Sequence, residues 1–170
     1  WQNLVFTGTH PEAELDYSAF GKHPHNTDEG CALCHMARTT GADNVGGHTF
    51  TMRPAEDGLL NTQACANCHD NPDTYNIGGL QTDVHDALGE LRSVLEERNN
   101  GELPGNEPGS CNQCHRGGTL PFDHDPDLIL GNAYENYKLI DRDKSLGVHN
   151  PHFALELMRD ALESVYNYTE

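Results

Sequence analysis

Two cysteines separated by two residues and followed at once by histidine, Cys31-Ala32-Leu33-Cys34-His35, put two thiols and an imidazole within one turn of chain. Each thiol of such a pair can add across a vinyl group of the same haem, and the adjacent imidazole then meets the iron as proximal ligand. The pattern recurs as Cys65-Ala66-Asn67-Cys68-His69 and as Cys111-Asn112-Gln113-Cys114-His115, so all six cysteines are used. With 6 Cys and 11 His in 170 residues, chance placement would give about 0.01 such pentapeptides. A zinc knuckle also uses Cys-x-x-Cys, but two knuckles share one metal and do not require histidine behind each second cysteine. A thioredoxin-type pair needs a single motif on a βαβ pattern, which is not found here. Disulfides paired at random would not produce the following histidine three times. The expectation is three covalently bound haems c, with His35, His69 and His115 as proximal ligands.

The sixth position on each iron decides what a haem does: a second histidine or a methionine makes an electron carrier, whereas an open site admits a substrate. Eight histidines remain for three positions: His10, His23, His25, His48, His85, His124, His149 and His152. That surplus makes bis-histidine coordination the economical expectation. His48 follows His35 by thirteen residues, behind glycines that let backbone approach a flat ring closely; the competing reading is a loop histidine bonded to backbone. His149 directly precedes a capped helix and would be held rigidly there. His124 sits among Asp123, Asp125 and Asp127, which raise the basicity of its imidazole. It could ligate the third haem, or the acidic knot could bind a cation, although hard-cation sites need more oxygens than this spacing assures. His85 is balanced between ligand and surface, and His152 shares a helix face with Glu156, Arg159 and Glu163, which points it to solvent or a neighbouring subunit. His10, His23 and His25 crowd a polar arm that has no other need of imidazoles. Met36, Met52 and Met158 read as packing.

The elements that must position these side chains are mostly helical. Leu80, Val84, Leu88, Leu91 and Leu95 form one stripe, predicting an amphipathic helix over 80–98 that Asn99-Asn100-Gly101 and Pro104 end. Residues 127–140 read as a second helix, with Leu128, Ile129, Ala133, Tyr137 and Ile140 inward. Asn150 as cap, Pro151 at the first helical position, and the stripe Phe153, Ala154, Leu157, Met158, Ala161, Leu162 and Val165 predict a third helix over 150–166. Alternation in Gly47-His48-Thr49-Phe50-Thr51 predicts a short extended piece presenting His48 to one side. Residues 1–30 are turn-rich and read as an extended arm. The fold expected is mainly α with much irregular coil, little or no sheet, and one trihaem domain over 1–170 whose core the haems supply.

With 35% hydrophobic residues, 17 Gly and 9 Pro, the chain has little apolar surface to bury by itself, so haem-free protein is expected to be largely unfolded. Its formal charge is −17, from 10 Lys and Arg against 27 Asp and Glu. Such a balance argues against nucleic acid and anionic membrane as partners; it keeps the protein soluble and could steer basic redox partner proteins. No apolar run of about 18 residues occurs, so no membrane span is expected. The chain opens at Trp1 without a charged and then apolar leader and reads as a mature form. Covalent haem attachment takes place outside the cytoplasmic membrane, which implies the periplasm, cell surface or exterior of a prokaryote.

Four blocks together resemble bacterial and archaeal multihaem cytochromes c: Gly30-Cys31-Ala32-Leu33-Cys34-His35-Met36-Ala37, Gly46-Gly47-His48-Thr49-Phe50, Asn136-Tyr137-Lys138-Leu139-Ile140 and Gly147-Val148-His149-Asn150-Pro151. The last is similar to a segment near the C-terminal helices of pentahaem nitrite reductase relatives. The resemblance implies that His48 and His149 are distal ligands, and that His23 or His25 ligates a haem other than the one attached just after it. The chain departs from the nitrite reductases in having three haem motifs and no CxxCK, which favours an electron carrier over an enzyme. It also looks like subunits of extracellular cytochrome filaments, where a histidine of one copy ligates a haem of the next. That would make the arm from His10 to His25 a head-to-tail crossing. The alternatives are a monomeric periplasmic shuttle and the haem subunit of an oxidoreductase acting on a small nitrogen or sulfur compound.

Overall fold

The computed structural model describes residues 25, 29–39, 43–53, 59–70, 72–104 and 126–167. Two compact units are distinguished, one of Lys22–Gln81 and one of Trp1–Gly21 with Thr82–Glu170. The described residues are helical or irregular, and among them the β pairing is a single isolated antiparallel bridge between Arg38 and Gly46. The expected α-rich fold with much coil is what is found.

In the Lys22–Gln81 unit the elements are short: a helical turn α1 (Cys31–His35) and 3-10 turns at Gly47–Thr49, Thr62–Asn67 and Ile77–Gly79. The α1 turn packs against the Thr62–Asn67 turn, which carries Cys65. Few apolar side chains are buried here, chiefly Val45 and Ala64. A polar residue takes the centre instead. Asn61 is 0% exposed; its Nδ2 donates to the Ala37 carbonyl at 2.9 Å, its Oδ1 accepts from the Thr39 hydroxyl at 3.0 Å, and its backbone N–H donates to the Met52 carbonyl at 2.9 Å. Tyr75 donates to the same Met52 carbonyl at 2.7 Å. A buried amide with its partners in place fixes a unique arrangement where apolar contacts are too few to do so.

The extended piece expected over 47–51 is instead a 3-10 turn. The cause is backbone conformation: Gly46 and Gly47 have φ of 72° and 54°, and Phe50 has φ of 57°. Those left-handed residues roll the chain into a turn where side-chain alternation reads as a strand.

The other unit is built on helical stripes. Helix α2 (Leu80–Arg98) buries Val84, Leu88, Leu91, Val94 and Leu95. It stops where Asn100 turns left-handed and the Gly101 N–H returns to the Glu96 carbonyl at 2.7 Å, satisfying a carbonyl of the last turn. Helix α3 (Pro126–Asp143) packs against α4 (Pro151–Asn167). In α3 the buried residues include Ile129, Leu130, Ala133, Asn136 and Ile140. Tyr137, expected inward, is half-buried, because it stacks on Tyr134 one turn earlier at 6.1 Å between ring centres.

Helix α4 buries Phe153, Ala154, Leu157, Met158, Ala161 and Val165. Each large side chain of that stripe contributes about 1.5–3 kcal/mol by leaving water. Its N-terminus is capped as expected, Asn150 Oδ1 accepting from the Phe153 N–H at 3.3 Å. Among the described residues no helix is long and apolar enough to cross a membrane.

Candidate haem-attachment site

Cys31 and Cys34 lie three residues apart on α1, hence on one face of a helical turn, with His35 at its end. Both thiols therefore face one side of the turn, as attachment to a single haem would need. His35 is further fixed from outside its own turn: its ring stacks on Phe50, with centres 5.6 Å apart and planes 17° from parallel, and its Nδ1 lies 2.9 Å from the Phe50 carbonyl oxygen. A carbonyl can only accept, so Nδ1 carries the proton and ligation falls to Nε2. A proximal histidine for a covalently attached haem needs that tautomer and a fixed ring, and the residues present fit the group.

The second pentapeptide begins in the Thr62–Asn67 turn and reaches His69 through a return bond, the His69 N–H donating to the Cys65 carbonyl at 2.8 Å. The His25 and His69 rings stand 6.3 Å apart between centres, with planes at 80°. Burial, then the Cys31 and Cys68 sulfurs, push the Cys34 thiol up, and burial, then Cys34 and Cys68, push the Cys65 thiol up. Cys34 and Cys65 thus share one neighbourhood. The four described cysteines form no disulfide. Among the described residues no three His, Cys, Asp or Glu side chains converge as a metal site.

His48 sits exposed on the Gly47–Thr49 turn, two residues before the Phe50 that holds His35. His149 is placed as expected, immediately before α4, with a partner sequence reading did not find: its Nδ1 lies 2.7 Å from Asp143 Oδ1, and its side chain is 48% exposed. The hydrogen bond that His149 donates to Asp143 raises its imidazole above the ordinary range against the opposing effect of burial. Burial pushes the Asp143 carboxyl up, but the bonds from His149 and Ser145 outweigh it and hold the group below its ordinary value. Asp143-Lys144-Ser145 has the spacing that lets the carboxylate bond two residues on, but nothing in it marks His149 as the further partner.

His85 lies at the surface beside Asp86, and His152 is exposed on α4. Met158 is buried in the α4 stripe, as packing. Phe50 and Asn61 were not foreseen: one orients His35, the other ties the strand of chain after α1 to the turn bearing Cys65. His10, His23, Cys111, Cys114, His115 and His124 lie outside the described residues, as do the side chains of Asp123, Asp125 and Asp127.

A family model described as cytochrome c7 and related cytochrome c matches residues 18–119, a span holding all three pentapeptides. Neither the curated proteins nor the solved structures give a match.

Proposed function

The chain belongs to the family of cytochrome c7 and related cytochromes c, and from that premise we propose that it carries three haems c and relays electrons through bis-histidine irons. Multihaem binding and haem-based electron transfer come with the family; the number of haems, their ligands and the assembly are the proposal. When bound, each haem supplies a one-electron iron couple. Cys31 and Cys34, Cys65 and Cys68, and Cys111 and Cys114 hold one haem each, with His35, His69 and His115 as proximal ligands.

The observation that carries the ligand reading is the spacing of His25 and His69. Two imidazoles on opposite faces of one iron stand about 6 Å apart between ring centres, from metal–nitrogen bonds of about 2 Å and about 1 Å more to each centre. The 6.3 Å between His25 and His69 is compatible with that spacing and supports reading His25 as a ligand of the second haem. His48 and His149 are the further distal ligands. An electron carrier, and not an enzyme, follows from irons closed on both faces.

In its finer form the proposal is an exported, extracellular subunit that polymerises head to tail, an arm histidine such as His10 or His23 ligating a haem of the next copy. Its redox partners would be proteins. The test is haem content with spectra: three haems per chain, all low-spin, with His25→Ala turning one high-spin. Two haems per chain, or no high-spin haem in His25→Ala, would remove the corresponding claim. Imaging of the purified holo-protein decides assembly, since uniform monomers with three six-coordinate haems mark a periplasmic shuttle instead.

A further inference from the structure

We propose that Asp143 is a positioning residue, a carboxylate that holds the His149 ring for an iron and tunes that iron through the Nδ1 proton. The inference rests on the reading of His149 as a distal ligand and adds to it the group that acts behind it.

Asp143 is the last residue of α3, and both of its oxygens are engaged. Oδ1 accepts a hydrogen bond from His149 Nδ1–H at 2.7 Å, while Oδ2 accepts from the Ser145 backbone N–H at 3.4 Å and from the Ser145 hydroxyl. The Ser145 hydroxyl oxygen in turn accepts from the His149 N–H at 3.3 Å. Histidine is therefore gripped at its ring and at its backbone by the same small group of atoms.

The turn that permits this is conformationally costly. Lys144 and Leu146 adopt φ of 59° and 50°, a region that side chains other than glycine disfavour, and Gly147 follows at 86°. The strained residues fall between Asp143 and His149, the two that the turn brings together. A chain needing only to join α3 to α4 has easier loops. The helices on either side pack against each other and α4 is capped by Asn150, so both ends of the turn are anchored. Asp143 is 19% exposed at its side chain while the His149 ring is 48% exposed, so the carboxylate is the more deeply set of the two.

With Nδ1 bound to a carboxylate, ligation by this ring falls to Nε2, and the carboxylate makes that nitrogen a stronger donor. A stronger donor favours the ferric state of the iron it meets. Asp143→Asn keeps the shape and an acceptor for Nδ1 but removes the charge.

The experiment uses the haem-loaded full chain, poised at fixed potentials. His149→Ala is expected to turn one haem high-spin. Asp143→Asn should leave all haems low-spin but raise the ferrous-to-ferric ratio of one haem about tenfold, equivalent to about 59 mV. Asp143→Glu should recover part of that change. In a His149→Ala background, Asp143→Asn should add nothing. Were Asp143→Asn to load haem poorly, Ser145→Ala should give a smaller change of the same sign in the same haem.

If His149→Ala leaves every haem low-spin, the ligand reading fails and the positioning role with it. If His149→Ala produces a high-spin haem but neither Asp143→Asn nor Ser145→Ala alters any ratio by as much as twofold, the ligand reading stands and the positioning role is overturned. A shift that persists in the His149→Ala background overturns it equally.

Discussion

His35 and Phe50 hold one another twice over: the rings stack at 5.6 Å, and the Phe50 carbonyl oxygen lies 2.9 Å from His35 Nδ1. The second contact needs the Phe50 backbone where it is, with φ of 57°, and that conformation costs a non-glycine residue about 1–2 kcal/mol. The stack returns about 0.5–1.5 kcal/mol. The two terms nearly cancel, so two substitutions separate them. Phe50→Ala loses the stack and keeps the strain, and its denaturation midpoint should fall by an amount equivalent to about 1 kcal/mol. Phe50→Gly loses the stack but relieves the strain, and should lie above Phe50→Ala in chemical denaturation of the holo-protein. Equal midpoints would mean that the stack, and not the backbone, limits the site.

Asn61 is the hub between the chain leaving α1 and the turn carrying Cys65. Asn61→Ala leaves the Ala37 carbonyl and Thr39 hydroxyl without their buried partner, a cost of about 1–3 kcal/mol. Asn61→Asp should be worse above pH about 5, because it replaces the donor Nδ2 by a charged oxygen facing the Ala37 carbonyl. Acidification protonates the new carboxyl and restores a donor, so the Asn61→Asp deficit should shrink as pH falls through its pKa. Thermal melts of both variants across that range check the crossing; a deficit independent of pH would show that the amide does not donate to Ala37.

Gly46 sets the distance at which these strands of chain pass. A Cβ there would come within 1.9 Å of the Ala37 carbonyl oxygen and 2.8 Å of Asn61 Nδ2, at φ of 72°. Backbone on one side and a buried amide on the other leave nowhere to move. Gly46→Ala should cost about 3 kcal/mol or more and lower the yield of holo-protein, whereas Gly89→Ala, on an open face of α2, should be neutral or stabilising by up to about 1 kcal/mol. A tolerated Gly46→Ala would place Ala37 elsewhere.

Much of the helical part was legible because its signals are local. The stripe from Val84 to Leu95 and the Asn150-Pro151 cap each declare a helix without reference to distant residues. The signal for haem attachment is local in the same way, five consecutive residues carrying each instance. What was not legible depends on partners far along the chain. Nothing in Leu60-Asn61-Thr62 marks the amide as fully buried, since its partners lie 22 and 24 residues back. Alternation placed Phe50 on a strand, and only its left-handed conformation turns its carbonyl toward His35. The helix read over 127–140 stops short of Asp143, whose meeting with His149 depends on the turn that follows.

The two units differ in what builds their cores, and removing haem should separate them. In the Lys22–Gln81 unit the described buried set is little more than Val45, Ala64 and Asn61, around two attachment turns. The α3–α4 pair instead buries Phe153, Leu157, Met158 and Val165 at 2% exposure or less, worth about 1.5–3 kcal/mol each. Composition alone predicted that haem-free chain would be largely unfolded throughout; the distribution of buried side chains predicts otherwise. A chain with Cys31, Cys34, Cys65, Cys68, Cys111 and Cys114 all changed to Ala should keep protected amides in α4 and the facing residues of α3, while residues 29–70 exchange freely. Hydrogen exchange by mass spectrometry reads both regions in one sample. Uniform loss of protection would mean that haem supports the helical pair as well, and uniform retention would mean that the Asn61 hub holds its unit without haem.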